Sequence, residues 1–176
     1  MSAPNFKEIE PFGNKLKKLR AAFSCGSREL DRYLKEQATQ DIERRACVVY
    51  VLTSSDDKLA GYYTLTQDNI AAEDLPLELI RQLNLPRYKR IDASLLGRLA
   101  RDLTYRGKGV GELLLVDALK RSLVVSRQIA ASAVIIDAKD EKAHHFYQDF
   151  GFIPFPDARK RLFLPMATVE RLYPEF

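Results

Sequence analysis

Residues Arg106 to Gly111, reading RGKGVG, put three glycines and two bases into six positions. At a turn into a helix, the first backbone N–H groups have no partner inside the helix. Glycines leave those groups open to an approaching ligand, and the helix dipole makes a phosphate or pyrophosphate the natural occupant. Arg106 and Lys108 add positive charge from the edges. No Ser, Thr, Asp or Asn stands within these six residues to cap the helix in the usual way. A P-loop needs Ser or Thr after its lysine, where this chain has Gly109. A dinucleotide fingerprint needs G-x-G-x-x-G, and here the third glycine comes one position early. The frame that remains is Arg106-x-x-Gly109-x-Gly111.

Other reactive side chains offer less. His144 and His145 are adjacent, so on one helix they point apart, and no Cys, His or carboxylate stands at ligand spacing from them; no metal site is expected. Cys25 and Cys47 form neither a metal pattern nor a disulfide framework and read as buried thiols in a reducing compartment. Charge is more informative. From Arg87 to Lys108 there are seven bases (Arg87, Lys89, Arg90, Arg98, Arg101, Arg106, Lys108) against two acids (Asp92, Asp102), a net of +5 in a chain of +4. The rest of the chain is therefore slightly acidic, and the cluster beside the glycine turn points to a polyanionic ligand or partner.

These groups need elements to hold them. Ser27 to Arg44 has apolar residues at Leu30, Tyr33, Leu34, Ala38 and Ile42, the spacing of an amphipathic helix. Ala46–Thr53 and Leu59–Thr66 are β-branched and aromatic runs around a polar turn, which predicts a hairpin. Leu75–Pro86 reads as a short helix between prolines, and Ala93–Asp102 as the strand that enters the glycine turn. Gly109–Val125 follows as a helix on Leu113, Leu114, Ala118 and Leu119, then Ala131–Asp137 as a buried strand and Asp140–Asp149 as a short helix. GFIPF and KRLFLPM supply the last strands. Strand, turn, helix and strand make a βαβ unit, so the class is α/β (α+β): a mixed, mostly antiparallel sheet with one parallel pair and flanking helices. Gly97 reads as a close backbone approach or bulge, and Asp137 at a strand end as structural.

The 176 residues suit one domain over 1–176, with an ordinary 46% hydrophobic and 30% charged content. No apolar run is long enough to span a membrane, and the N-terminal stretch has no apolar signal core, so a cytoplasmic protein is expected.

The Arg106-x-x-Gly109-x-Gly111 frame resembles the pyrophosphate turn of the GNAT N-acetyltransferases. Ala143 to Phe152, AHHFYQDFGF, is similar to the later helix-to-strand segment of that family, about 35 residues on. The element order agrees over roughly residues 46 to 165. More narrowly, FSCGSRELDRYL, RLARD and HHFYQDFGF resemble the acetyltransferase toxins of toxin–antitoxin pairs, the TacT and AtaT type. The resemblance implies a GNAT fold and acetyl-CoA as cosubstrate. It places the pyrophosphate on Arg106, Gly107, Lys108, Gly109, Val110 and Gly111, and the pantetheine arm along Leu99, Ala100 and Arg101. An oxyanion donor is expected among the backbone N–H groups of Leu99 to Arg101. Tyr147 matches the family's general acid, and a phenol can protonate a departing thiolate while staying neutral at pH 7. Its helical spacing with Ala143, Phe146 and Phe150 equally suits a core ring. For the toxin group the resemblance implies acetylation of the free α-amine of aminoacyl-tRNA, which blocks translation, and neutralisation by a ribbon–helix–helix antitoxin. A homodimer is expected, with Arg87, Lys89, Arg90 and Arg98 meeting tRNA phosphates. Two alternatives stay open: a GNAT enzyme acting on a small amine or protein lysine, and a non-enzymatic nucleic-acid-binding module on the same fold.

Overall fold

The structure, a computed structural model, describes residues 5–158 and 160–176. The described residues form two compact units, one over residues up to Thr66 and from Gly97 to Ala118, the other from Gln67 to Leu96 and from Leu119 to Phe176.

In the first unit, β1 (Glu10–Pro11) is followed by a 3-10 helix, Asn14–Ala22. Next comes a run of α1 (Arg28–Arg32), a π-helical turn (Tyr33–Gln37) and α2 (Ala38–Glu43). Ser27 begins it, its hydroxyl accepting from the amide of Leu30, as a Ser cap should. β2 (Val48–Thr53) pairs antiparallel with β1 and with the first part of β3 (Leu59–Ala71), from Val48↔Leu65 to Thr53↔Leu59 with a bulge before Thr53. The end of β4 (Arg90–Arg101) lies beside β3 and leads to a 3-10 turn, Leu103–Tyr105, and to the first half of α4 (Val110–Ser126). The core here gathers Phe23, Tyr33 and Leu34 from the N-terminal run, Val51 and Tyr62 from the hairpin, and Ala100 from β4. Gly61 allows the helix to seat. A Cβ there would stand 2.7 Å from Leu114 Cδ1 and 2.8 Å from the carbonyl of Ala100. Any side chain at Gly61 would therefore push α4, and with it the glycine turn, off the sheet.

In the second unit the strands run β3, β4, β5 (Ala133–Asp137), β7 (Arg161–Pro165) and β6 (Ile153–Pro154). β4 and β5 are parallel, from Ala93↔Ala133 to Leu96↔Ile136; β7 is antiparallel to both β5 and β6. This is the mixed sheet and βαβ unit that the sequence predicts. α3 (Leu77–Gln82), α5 (Glu141–Asp149) and α6 (Met166–Leu172) complete it. Ile70, Ile80, Ile91, Ile135, Phe155 and Phe163 share its core.

The expected elements are present with shifted bounds. β3 runs to Ala71 and β4 starts at Arg90, because both alternate into the second core beyond the predicted ends. Within α4, Leu113 is 46% exposed, and the buried stripe takes Leu115 with Leu114, Ala118 and Leu119. β1, the Asn14–Ala22 helix and α6 carry no clear signature in the sequence: Asn14–Ala22 buries only Leu16, and Pro165 hides the start of α6 at the end of a strand. Cys25 and Cys47 are thiols but only half-buried, Cys47 Sγ lying 3.2 Å from the Tyr33 hydroxyl. Gly97 is a close approach as expected; a Cβ there would meet Thr64 Oγ1 at 3.0 Å. Asp137 is structural, holding Arg161 through two hydrogen bonds of 3.0 and 3.1 Å.

Candidate functional site

In the first unit the site grows from the end of β4. Asp102 follows it and is 7% exposed. Its two carboxylate oxygens accept from the amides of Thr104 at 2.8 Å and Ser24 at 2.9 Å. Its own amide donates to Ala60 of β3 at 2.9 Å, and that of Leu103 donates to the Ser24 carbonyl at 2.8 Å. One buried acid thus ties β3, the Ser24 segment and the turn together. Among the residues that the sequence marks for the site, Asp102 has no place, although an Asp two residues before a Thr is the pattern of a side chain capping its own turn.

From this anchor the backbone passes Gly107 and Gly109, both at φ +73°. That is the left-handed region, costly for any residue with a Cβ. A Cβ at either glycine would meet nothing within 4 Å, so the requirement is conformational and the space in front is open. Among the described residues no carbonyl or side chain accepts from the amides of Gly107, Gly109, Val110 or Gly111, whereas those of Arg106, Lys108 and Leu113 are paired. Arg106 and Lys108 are exposed, Lys108 Nζ lying 5.7 Å from the centre of the Tyr105 ring. Four open donors between two cations form a cradle for a diphosphate. Leu99 is half-buried and Ala100 buried on the strand before it. Arg101 Nη1 is fully buried with no hydrogen-bond partner among the described residues. A buried guanidinium N–H without an acceptor is costly, and a carbonyl-bearing ligand arm would satisfy it. The expected cofactor residues thus come together on one strand and one turn, and acetyl-CoA, with a diphosphate and amide carbonyls, fits what they lack.

Tyr147 lies on α5 of the second unit. Asp140 caps this helix, accepting from Ala143 N at 2.8 Å, and Gly151 at φ +92° ends it, so that Phe152 folds back. Phe152 N donates to the Tyr147 carbonyl at 3.2 Å, and its ring meets the Tyr147 ring edge-on at 5.7 Å. Tyr147 is 7% exposed, so the ring packs as a core ring would, and its hydroxyl has no hydrogen-bond partner among the described residues. Burial, and then the negative charge of Asp140, push its pKa well above the usual phenol value, so it stays protonated across the neutral range. On the same helix the rings of His144 and His145 lie 6.2 Å from each other between centres; no metal-binding cluster occurs among the described residues.

The residues expected to meet nucleic acid divide. Arg87, Lys89 and Arg90 are exposed in the second unit and form no ion pair among the described residues. Arg98 belongs to the first unit, is half-buried, and lies 3.5 Å above the Tyr33 ring.

A model of the Acetyltransferase (GNAT) family matches residues 16–152. A probable toxin TacT from Sinorhizobium fredii is 33% identical, the match covering 87% of this chain and 88% of that one. A tRNA-acetylating toxin from Mycobacterium tuberculosis is 30% identical over 86% and 88% of the two chains. Among solved structures, AtaT complexed with acetyl-methionyl-tRNAfMet superposes with TM-score 0.85 at 28% identity, covering 96% of this chain and 99% of that one. A tyrosine-to-phenylalanine mutant of AtaT, bound to the C-terminus of the antitoxin AtaR and acetyl-CoA, gives 0.78 at 25% identity and 97% and 99% coverage.

Proposed function

The chain belongs to the GNAT family of acetyl-CoA-dependent N-acyltransferases, and from that premise we propose that it is a toxin acetylating the free α-amine of aminoacyl-tRNA. Translation then stops until an antitoxin of the ribbon–helix–helix type neutralises the enzyme. The observation that carries this reading is the set of unpartnered amides at Gly107, Gly109, Val110 and Gly111 beside two exposed bases.

Those amides, with Arg106 and Lys108, would hold the pyrophosphate, and Leu99, Ala100 and Arg101 would line the pantetheine arm, which could offer an acceptor to the unpartnered Arg101 Nη1. The amine nitrogen attacks the thioester carbonyl, the C–N bond forms, and the C–S bond breaks. The departing thiolate takes the proton of Tyr147, which the proton released by the amine restores through water. No dedicated base is required, since an α-amine has a pKa of about 7.7–8.0 and gives its proton to water near neutrality. Arg87, Lys89 and Arg90, exposed and without an ion pair among the described residues, suit the phosphates of tRNA, with Arg98 adding charge from its packed position. The relatives named as tRNA-acetylating and tRNA-bound support this substrate. We read residues 1–176 as one GNAT domain acting in the cytoplasm as a homodimer; no helix among the described residues is long and apolar enough to cross a membrane.

The test is acetylation of charged tRNA by wild type and by the Lys89→Glu, Arg90→Glu double variant at two salt concentrations. The rate should fall steeply with salt, and the double variant should be strongly impaired while binding acetyl-CoA normally. An enzyme for a small amine or protein lysine shows neither effect, and that outcome would replace the tRNA substrate.

A further inference from the structure

Between Pro86 and β4, the four residues Arg87, Tyr88, Lys89 and Arg90 are all exposed. Tyr88 is 75% exposed, more than any other large hydrophobic side chain among the described residues, and has no hydrogen-bond or ring partner there. The segment is nonetheless held at both ends. Leu85 and Ile91 are buried in the core of the second unit, and the Lys89 carbonyl accepts from Ala72 N at 2.9 Å. The three bases form no ion pair among the described residues, although other arginines of the same unit, Arg127 and Arg161, find carboxylates at Glu170 and Asp137. A ring presented to water between unpaired cations on an anchored backbone adds nothing to the core.

Resting on the tRNA reading above, we propose that Tyr88 is a stacking platform for an unpaired nucleobase of the tRNA, flanked by Arg87, Lys89 and Arg90 on the adjoining phosphates. Single-stranded nucleic acid is bound by this combination of ring and cations: every base offers a π-face, and the cations follow the backbone. A purely electrostatic patch needs only the bases. The ring adds a preference for unstacked nucleotides over duplex, so Tyr88 sets which part of the tRNA the patch engages.

The experiment compares wild type, Tyr88→Ala and Tyr88→Phe in acetylation of charged tRNA and in binding of uncharged tRNA and of a double-stranded RNA. Tyr88→Ala should raise KM for charged tRNA and weaken uncharged tRNA binding about tenfold, the scale of one lost base stack. Its kcat, its acetyl-CoA affinity and its binding of double-stranded RNA should not change, and Tyr88→Phe should behave as wild type. Equal tRNA binding by wild type and Tyr88→Ala overturns the platform and leaves a phosphate-binding stretch. An equal defect in Tyr88→Phe overturns stacking in favour of a hydroxyl contact. Wild type that binds tRNA without acetylating it overturns the proposed function alone, and the binding arm still decides Tyr88. Wild type that neither binds nor acetylates tRNA overturns both.

Discussion

At the turn of residues 102–111 the groups proposed to bind the cofactor are backbone amides, and the glycines keep side chains out of the space in front of them. At α5 the group proposed to work is one phenol hydroxyl on a ring packed against Phe152. The turn gets its chemistry from geometry: two glycines at φ +73° aim open donors outward, and the buried carboxylate of Asp102 fixes the segment that leads into them. The chemistry proposed for α5 would come from desolvation, which raises the Tyr147 pKa and keeps the proton on the oxygen. A backbone site announces itself through what is missing from the sequence. A side-chain site in a packed helix looks like core.

If the turn binds through its amides, Gly109→Asp should remove acetyl-CoA binding to below detection. The substitution forces a side chain into a left-handed conformation and sets a carboxylate against the diphosphate. Calorimetry giving wild-type affinity would show that the amides are not the binding groups.

If α5 acts only through its hydroxyl, Tyr147→Phe keeps the packing and the cofactor affinity while kcat drops by roughly 10²-fold or more. The pH profile sharpens this. Because burial raises the phenol pKa, wild-type kcat should show no falling limb from Tyr147 at or below the ordinary tyrosine value of about 10. An alkaline loss of activity well below that value, shared by the Phe variant, would assign the limb to another group.

Asp102→Ala tests the anchor and should have the smallest effect. It leaves the amides of Ser24 and Thr104 without their acceptors, at about 1–3 kcal/mol for each that stays buried. Thermal denaturation should fall by several degrees and acetyl-CoA affinity should weaken, with kcat at saturation little changed. Unaltered melting would mean that water replaces the carboxylate and that the turn holds its shape without it.

Most of the turn is legible in the amino-acid sequence, because left-handed glycines and open helix-start amides follow from steric rules acting over a few residues. The hairpin, the βαβ unit, α4 and α5 are legible for a related reason: apolar periods of two and of three to four record which face will be buried. The role proposed for Tyr147 is legible only through family resemblance, since its spacing with Phe146 and Phe150 is that of any core ring. Asp102 reaches Ser24, 78 positions away, and no local pattern encodes that partner. Tyr88 and Tyr62 are the same residue type, yet one is 75% exposed and the other fully buried. The sequence by itself determined where the glycine turn would fall, which of the longer stretches would be helix or strand, and where the positive charge would gather. The tertiary structure decided which donors stay unpartnered, which phenol is desolvated and which ring meets water, because hydrogen-bond partners and desolvation depend on what distant segments bring into contact.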